Sequence, residues 1–228
     1  MVRAMGKQSG FTLIEIAIVL VIIGLLLGGI LKGQELINSA KVKNLATDFR
    51  SIPVYIYGYQ DKFKALPGDD ANATTHVTGA TTNGNGNGVI EGAWNTTTNA
   101  NESCNFWQHV RLAGLAAGPT TVDCATATNT YVPRNSEGGL IGIQSGTSVA
   151  ANSPIRDASN NALRGTYVIC SRGILGKFVK QLDTTLDDGN TATGSMLATA
   201  ETGYAIGNSA TATASIDDAA TYVVCMGV

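Results

Sequence analysis

The sequence predicts an α+β fold, in which a long amino-terminal helix, apolar at first and then amphipathic, packs on an antiparallel sheet carrying one or two further helices. Three observations predict it. Residues 11–31 are apolar except for Thr12 and Glu15, and residues 42–66 carry an apolar stripe at helical spacing. Residues 138–145, 166–171 and 221–226 are short runs rich in Ile, Val, Tyr or Cys, bounded by Gly, Asn or Asp, and read as strands.

The apolar run comes first. Its 21 residues make about 31 Å of helix, enough to cross a bilayer. Arg3 and Lys7 precede it, as in a secretory signal, but no small-residue cleavage site follows Leu31 and an acid sits inside the run. Glu15 needs a partner, because an acid within a membrane helix costs about 3 kcal/mol. It is expected to lack one in the uncleaved chain. Cleavage after Gly10 would free an α-amine on Phe11, and that cation on one subunit would match Glu15 of the next. Gly24, Gly28 and Gly29 weaken the helix but let membrane helices approach closely.

The stripe follows. Val42, Leu45, Phe49, Ile52, Ile56, Tyr59, Phe63 and Leu66 alternate in steps of three and four, which extends the span into one helix over 11–66, bent at Pro53. The residues Leu66-Pro67-Gly68-Asp69-Asp70 end it. The expected division is therefore 1–10 as a leader, 11–66 as the helix with 11–31 its transmembrane part, and 67–228 as a globular head.

Residues 71–103, rich in Asn, Thr, Gly and Ala, read as loops. Within them Asn83, Asn85, Asn87 and Glu91 imitate half of a calcium loop, with amides in place of the usual carboxylates and Trp94 where the bidentate acid belongs. A tight Gly-rich turn accounts for them better. Residues 102–116 read as a short amphipathic helix capped by Ser103. Leu175, Phe178, Val179, Leu182 and Leu186 mark another helix, ended by Asp187-Asp188-Gly189-Asn190. Asp183, Asp187 and Asp188, with Asn190, form a second weak calcium candidate, although a helix-ending turn favours Asp without any ligand. No other cofactor is suggested.

Charge and cysteines narrow the function. Residues 1–67 hold eight Lys/Arg against four Asp/Glu, and the remainder seven against thirteen, so the head is acidic and a poor nucleic-acid binder. His76 and His109 are the only histidines and read as surface residues; with no Gly-x-Ser-x-Gly or P-loop pattern, an enzyme is not expected. Cys104, Cys124, Cys170 and Cys225 show no metal-ligand spacing and imply disulfides in an oxidising compartment. Of three connectivities, Cys104–Cys124 and Cys170–Cys225 are favoured. The first pair brackets a short Gly/Thr-rich stretch and the second joins two strand-like runs; their loops would contribute about 3 and 4 kcal/mol.

The residues Gly10-Phe11-Thr12-Leu13-Ile14-Glu15 after a basic stretch resemble the leader motif of the type IV pilin and type II secretion pseudopilin families. The resemblance implies a structural subunit of a pilus-like fibre. A prepilin peptidase would cleave between Gly10 and Phe11, Phe11 would be N-methylated, and Glu15, assisted by Thr12, would dock against the adjacent subunit's amine. The implied partners are other copies and other pilins in a helical fibre, an inner-membrane assembly platform, and membrane lipid before assembly. The implied location is the bacterial inner membrane, leader inside and head in the periplasm, and afterwards the pilus or pseudopilus. A pseudopilin shares every amino-terminal feature. A membrane-anchored periplasmic binding domain is the third reading and requires a concave site with convergent polar groups.

Overall fold

The computed structural model describes residues 11–126 and 130–228. The 1–10 leader, Gly10 included, lies outside the described residues. Helix α1, Leu13–Phe63, runs unbroken through Gly24, Gly28, Gly29 and Pro53. It ends at Phe63, short of Leu66, because Lys64 takes a left-handed conformation with φ 56°; Leu66 is buried in the turn that follows. The chain divides between Ala40 and Lys41 into two units, of which Lys41–Val228 is the larger.

In Lys41–Val228 the stripe does what its spacing dictates. Val42, Leu45, Phe49, Ile52, Ile56 and Tyr59 are all buried, each large side chain contributing about 1.5–3 kcal/mol by leaving water. They meet residues of α3, Glu102–Leu112, and α4, Gly176–Leu186, on one face of a sheet. A single helical turn, α2, Ala73–His76, interrupts the loops before α3.

The main sheet is antiparallel throughout, in the order β1 (Ile141–Ser145), β3 (Tyr167–Leu175), β6 (Thr221–Gly227) and β4 (Met196–Ala200). A small parallel pair, β2 (Ile155–Arg156) and β5 (Asn208–Ser209), lies apart from it. The period-two rule assigns the two faces. Ile143, Ile169, Tyr222, Val224, Met196 and Ala198 point to the helices. Val168, Cys170, Leu197, Val223 and Cys225 point the other way, onto Trp94, Ile155 and Leu163. Both faces are covered, which is why the strands read as continuous apolar runs.

Both favoured disulfides are present. Cys170 and Cys225 stand directly opposite each other in the β3–β6 ladder, fully buried on the face away from the helices. Cys104 joins α3 to Cys124 in the loop beyond it.

Two expectations are corrected here. The amino-terminal cap position of α3 is Asn101, not Ser103, and neither caps it through a side chain: the Asn101 amide donates to Thr96 Oγ1 and the Ser103 hydroxyl to the Ala93 carbonyl. His109 is not a surface residue. It is fully buried, with Nδ1 accepting from the Gly68 amide at 2.9 Å and Nε2 facing the Thr82 carbonyl at 3.1 Å. That network fixes the neutral tautomer with its proton on Nε2, and burial holds the imidazole pKa below its ordinary value.

Candidate functional site

At the start of α1 the structure brings together the two polar residues of the apolar run. The Thr12 amide donates to Glu15 Oε2 at 2.8 Å and the Thr12 hydroxyl to the same oxygen at 2.7 Å, while the Glu15 amide faces Thr12 Oγ1 at 3.4 Å. This is a reciprocal capping box, Thr at the cap and Glu three residues on, satisfying amides that the first turn leaves without intrahelical partners. Glu15 is therefore held by its own helix, where the sequence led us to expect an acid without a partner. Its second oxygen, Oε1, has no hydrogen bond among the described residues. The carboxylate is thus oriented, half-satisfied, and placed at the helix end where the macrodipole favours negative charge.

Beyond this box the helix is apolar all round and bare. Phe11 is 85 % exposed, and Leu13, Ile14, Leu20, Val21, Leu25, Leu26 and Leu31 are all more than half exposed. An 18-residue window reaches a mean hydropathy of 2.9, so this helix is long and apolar enough to cross a membrane. A methyl group added at Gly24, Gly28 or Gly29 would meet nothing within 4 Å, which leaves those positions open to close approach. The first charged pair after the run, Lys32 with Glu35 at 2.7 Å, marks its polar end. An uncovered apolar surface of this size is an interaction surface for lipid or protein.

The residues of the first calcium candidate lie in a loop built on Asp69 and Asp70, the two acids that follow the end of α1. Asp69 Oδ1 accepts the amides of Gly86 and Asn87, and Oδ2 the amide of Gly88. Asn83, Asn85 and Asn87 spend their amide oxygens on the backbone amides of Thr74, Asn87 and Val89. Glu91 accepts the side-chain amides of Asn85 and Asn87 at 3.0 Å each. Gly84 must be glycine, because a Cβ there would lie 2.3 Å from the Asp69 backbone. Asn83, Asn85, Asn87 and Glu91 are thus all engaged in hydrogen bonds within residues 69–91.

Asp70 is the second anchor. It is buried, and its Oδ2 accepts from Tyr59 Oη at 2.7 Å and meets His76 Nδ1 at 2.7 Å, while Oδ1 accepts the Asn72 amide. Burial alone would raise its pKa, but the hydrogen bonds from His76, Asn72 and Tyr59 outweigh it and hold the carboxyl below the usual range. Beside this cluster lies a cavity of about 720 Å³, lined among others by Phe63, Leu66, His76 and Tyr167. Its acids are tied to the backbone, to Tyr59 and to His76, and these bonds hold the turn together. The signal that marks Asp69 and Asp70 in the sequence is their place between the helix stop and a Gly/Asn-rich stretch, which a composition reading assigns to surface.

Asp183, Asp187 and Asp188 do converge at the end of α4, one oxygen of each lying within 4.8 Å of the others. The Asn190 backbone amide donates to Asp188 Oδ1, and the Asn190 side-chain oxygen accepts the Ala192 amide at 3.3 Å.

No curated protein and no solved structure matches the chain. Its amino terminus does match a family: residues 5–31, which contain Phe11, the Thr12–Glu15 box and the exposed apolar run, fit the prokaryotic N-terminal methylation motif, so the chain carries the signature of type IV pilins and pseudopilins.

Proposed function

We propose that this protein is a structural subunit of a type IV pilus-like fibre, made as a membrane-anchored precursor. The observation that carries the reading is the combination of the methylation motif with a bare apolar helix whose single acid is oriented but half-satisfied. Hydrolysis of the Gly10–Phe11 bond by a prepilin peptidase would leave an amine on Phe11, afterwards N-methylated and still cationic. Both Thr12 donors survive that cut, so Glu15 keeps its cap and offers Oε1 to the amine of a neighbouring subunit. In lipid the acid costs about 3 kcal/mol; in the fibre the charge-assisted pair offsets that cost, and the apolar faces cover one another. Cleavage thereby converts an anchor into an assembly element.

A pseudopilin of a type II secretion system would use the same amino-terminal chemistry. The size of the head and its two disulfides favour the pilus subunit, and a sheared surface fibre separates the two. The processing step is tested by Gly10→Val, which is expected to leave uncleaved precursor in the membrane because the peptidase needs close backbone approach. Glu15→Ala is expected to be cleaved normally and to yield few fibres. Normal maturation of the first variant would overturn the cleavage assignment, and an unchanged fibre yield from the second would remove the docking role.

A further inference from the structure

Three Asn-Gly dipeptides follow one another at 83–84, 85–86 and 87–88, and all three asparagines are exposed. An Asn-Gly pair is open to attack on its own side chain, because glycine has no Cβ to obstruct the approach of its backbone nitrogen. The electrophile is already prepared. The carboxamide oxygens of Asn83, Asn85 and Asn87 each accept a backbone amide, at 2.9, 2.9 and 2.8 Å, and such donors favour the charge that the oxygen gains on attack.

The nucleophile is withheld at every pair. The Gly84 amide donates to the Asp70 carbonyl at 2.9 Å, and the Gly86 amide to the Asp69 carbonyl at 2.9 Å and to Asp69 Oδ1 at 2.7 Å. The Gly88 amide donates to Asp69 Oδ2 at 2.7 Å. Asp69 itself is buried. Each of these amide protons must leave before its nitrogen can attack, and the Asp69 carboxylate opposes that loss, since the amide anion would face a like charge. Breaking a hydrogen bond to a charged acceptor slows the step by at least about tenfold.

We propose that residues 83–88 are a folding-gated deamidation site, with Asp69 and Asp70 as its gate. In the unfolded chain the glycine nitrogen gives its proton to solvent and bonds to the asparagine Cγ, and the side-chain nitrogen leaves as ammonia. Water then opens the succinimide to aspartate or isoaspartate. In the folded head the clasp on the glycine amides blocks the first step. The product cannot restore the loop: Asn85 and Asn87 donate through Nδ2 to Glu91 at 3.0 Å each, and a carboxylate in either place would repel it. A head left unfolded is thereby marked irreversibly. The site is independent of the fibre reading, since it concerns the head alone.

The test is incubation of the full chain in detergent and mildly alkaline buffer, with and without guanidinium chloride, followed by peptide-mapping mass spectrometry that reads amide loss at each asparagine separately. The folded chain is expected to lose amide at least about tenfold more slowly than the unfolded chain at all three positions. Asp69→Ala removes both carboxylate oxygens and neither backbone carbonyl. Gly84 and Gly86 keep their carbonyl acceptors in that variant, so Asn87 alone should accelerate towards the unfolded rate, whereas a general loss of structure would accelerate all three. Should the variant fail to melt cooperatively, hydrogen exchange in the unaltered chain decides instead, with slow exchange expected at the Gly84, Gly86 and Gly88 amides. Equal amide loss in the folded and unfolded chains, a folded Asp69→Ala variant in which Asn87 reacts no faster, or fast exchange at Gly88 while Asn87 stays protected would overturn the proposal.

Discussion

Two stretches of one helix present similar side chains to opposite conditions. Leu20, Leu25 and Leu26 are 64, 73 and 61 % exposed, whereas Leu45, Phe49 and Ile56 are at 0, 1 and 0 %. The first stretch is apolar on every side and the second only along a stripe. A helix that is apolar all round requires a non-aqueous partner from outside the chain, while a striped one finds its partner within its own domain. The difference therefore separates, along a single element, a surface that needs an outside partner from one that serves folding, and substitutions of the same chemistry should separate them too.

The largest effect is expected in the striped half. Leu45→Ala should destabilise the head by about 3 kcal/mol through lost burial and the cavity left behind, seen as a fall in Tm of about 6–12 °C. Next is Asp70→Asn, which removes the charged acceptor of Tyr59 and His76 and should cost about 2 kcal/mol at neutral pH. Because the folded pKa of Asp70 lies below its unfolded value, its contribution is present above about pH 4 and is lost as pH falls through the folded value. The variant should therefore show a flatter acid limb.

Asp48 gives a smaller effect of opposite sign. Desolvation on α1 raises its carboxyl to about 6 with no paired cation among the described residues. Between about pH 4 and 6 the folded state binds more protons than the unfolded, so this group destabilises increasingly as pH rises. Asp48→Asn should raise the Tm at pH 7 and abolish that dependence, by less than about 1 kcal/mol once solvent screening at this half-buried site is allowed for. The smallest folding effect belongs to Leu20→Ala, expected within about 0.5 kcal/mol for the head while reducing fibre yield. A loss of head stability there as large as that of Leu45→Ala would erase the distinction between the two stretches.

Much of the architecture was legible because it rests on periodicity. The stripe from Val42 to Tyr59, the strands around Ile143, Ile169 and Val224, and the α4 positions Phe178, Val179 and Leu182 all follow local spacing. The disulfide pairs were legible for a related reason, since Cys170 and Cys225 sit in runs that had to be strands. What stayed hidden was set by tertiary contact. β4 reads Met-Leu-Ala-Thr-Ala, whose alanines have weak strand preference, and pairing with β6 supplies what propensity does not. His109 looks like any polar residue on a helix until Gly68 and Thr82 are brought to its two nitrogens. Asp69 and Asp70 read as turn formers, and only the fold shows that an entire Asn/Gly loop hangs on them. At the amino terminus the pattern Thr12 to Glu15 was read as an assembly motif, and its second role as a capping box was present in the same spacing.

The central claim is that the bare apolar helix is an assembly element released by cleavage. Shearing fibres from the cell surface, imaging them by electron microscopy and weighing their subunits by mass spectrometry tests it most directly. The account predicts fibres whose subunit begins at an N-methylated Phe11 and retains all residues to Val228. A subunit still carrying residues 1–10, or a head found free in the culture fluid and cut beyond Leu31, would contradict it.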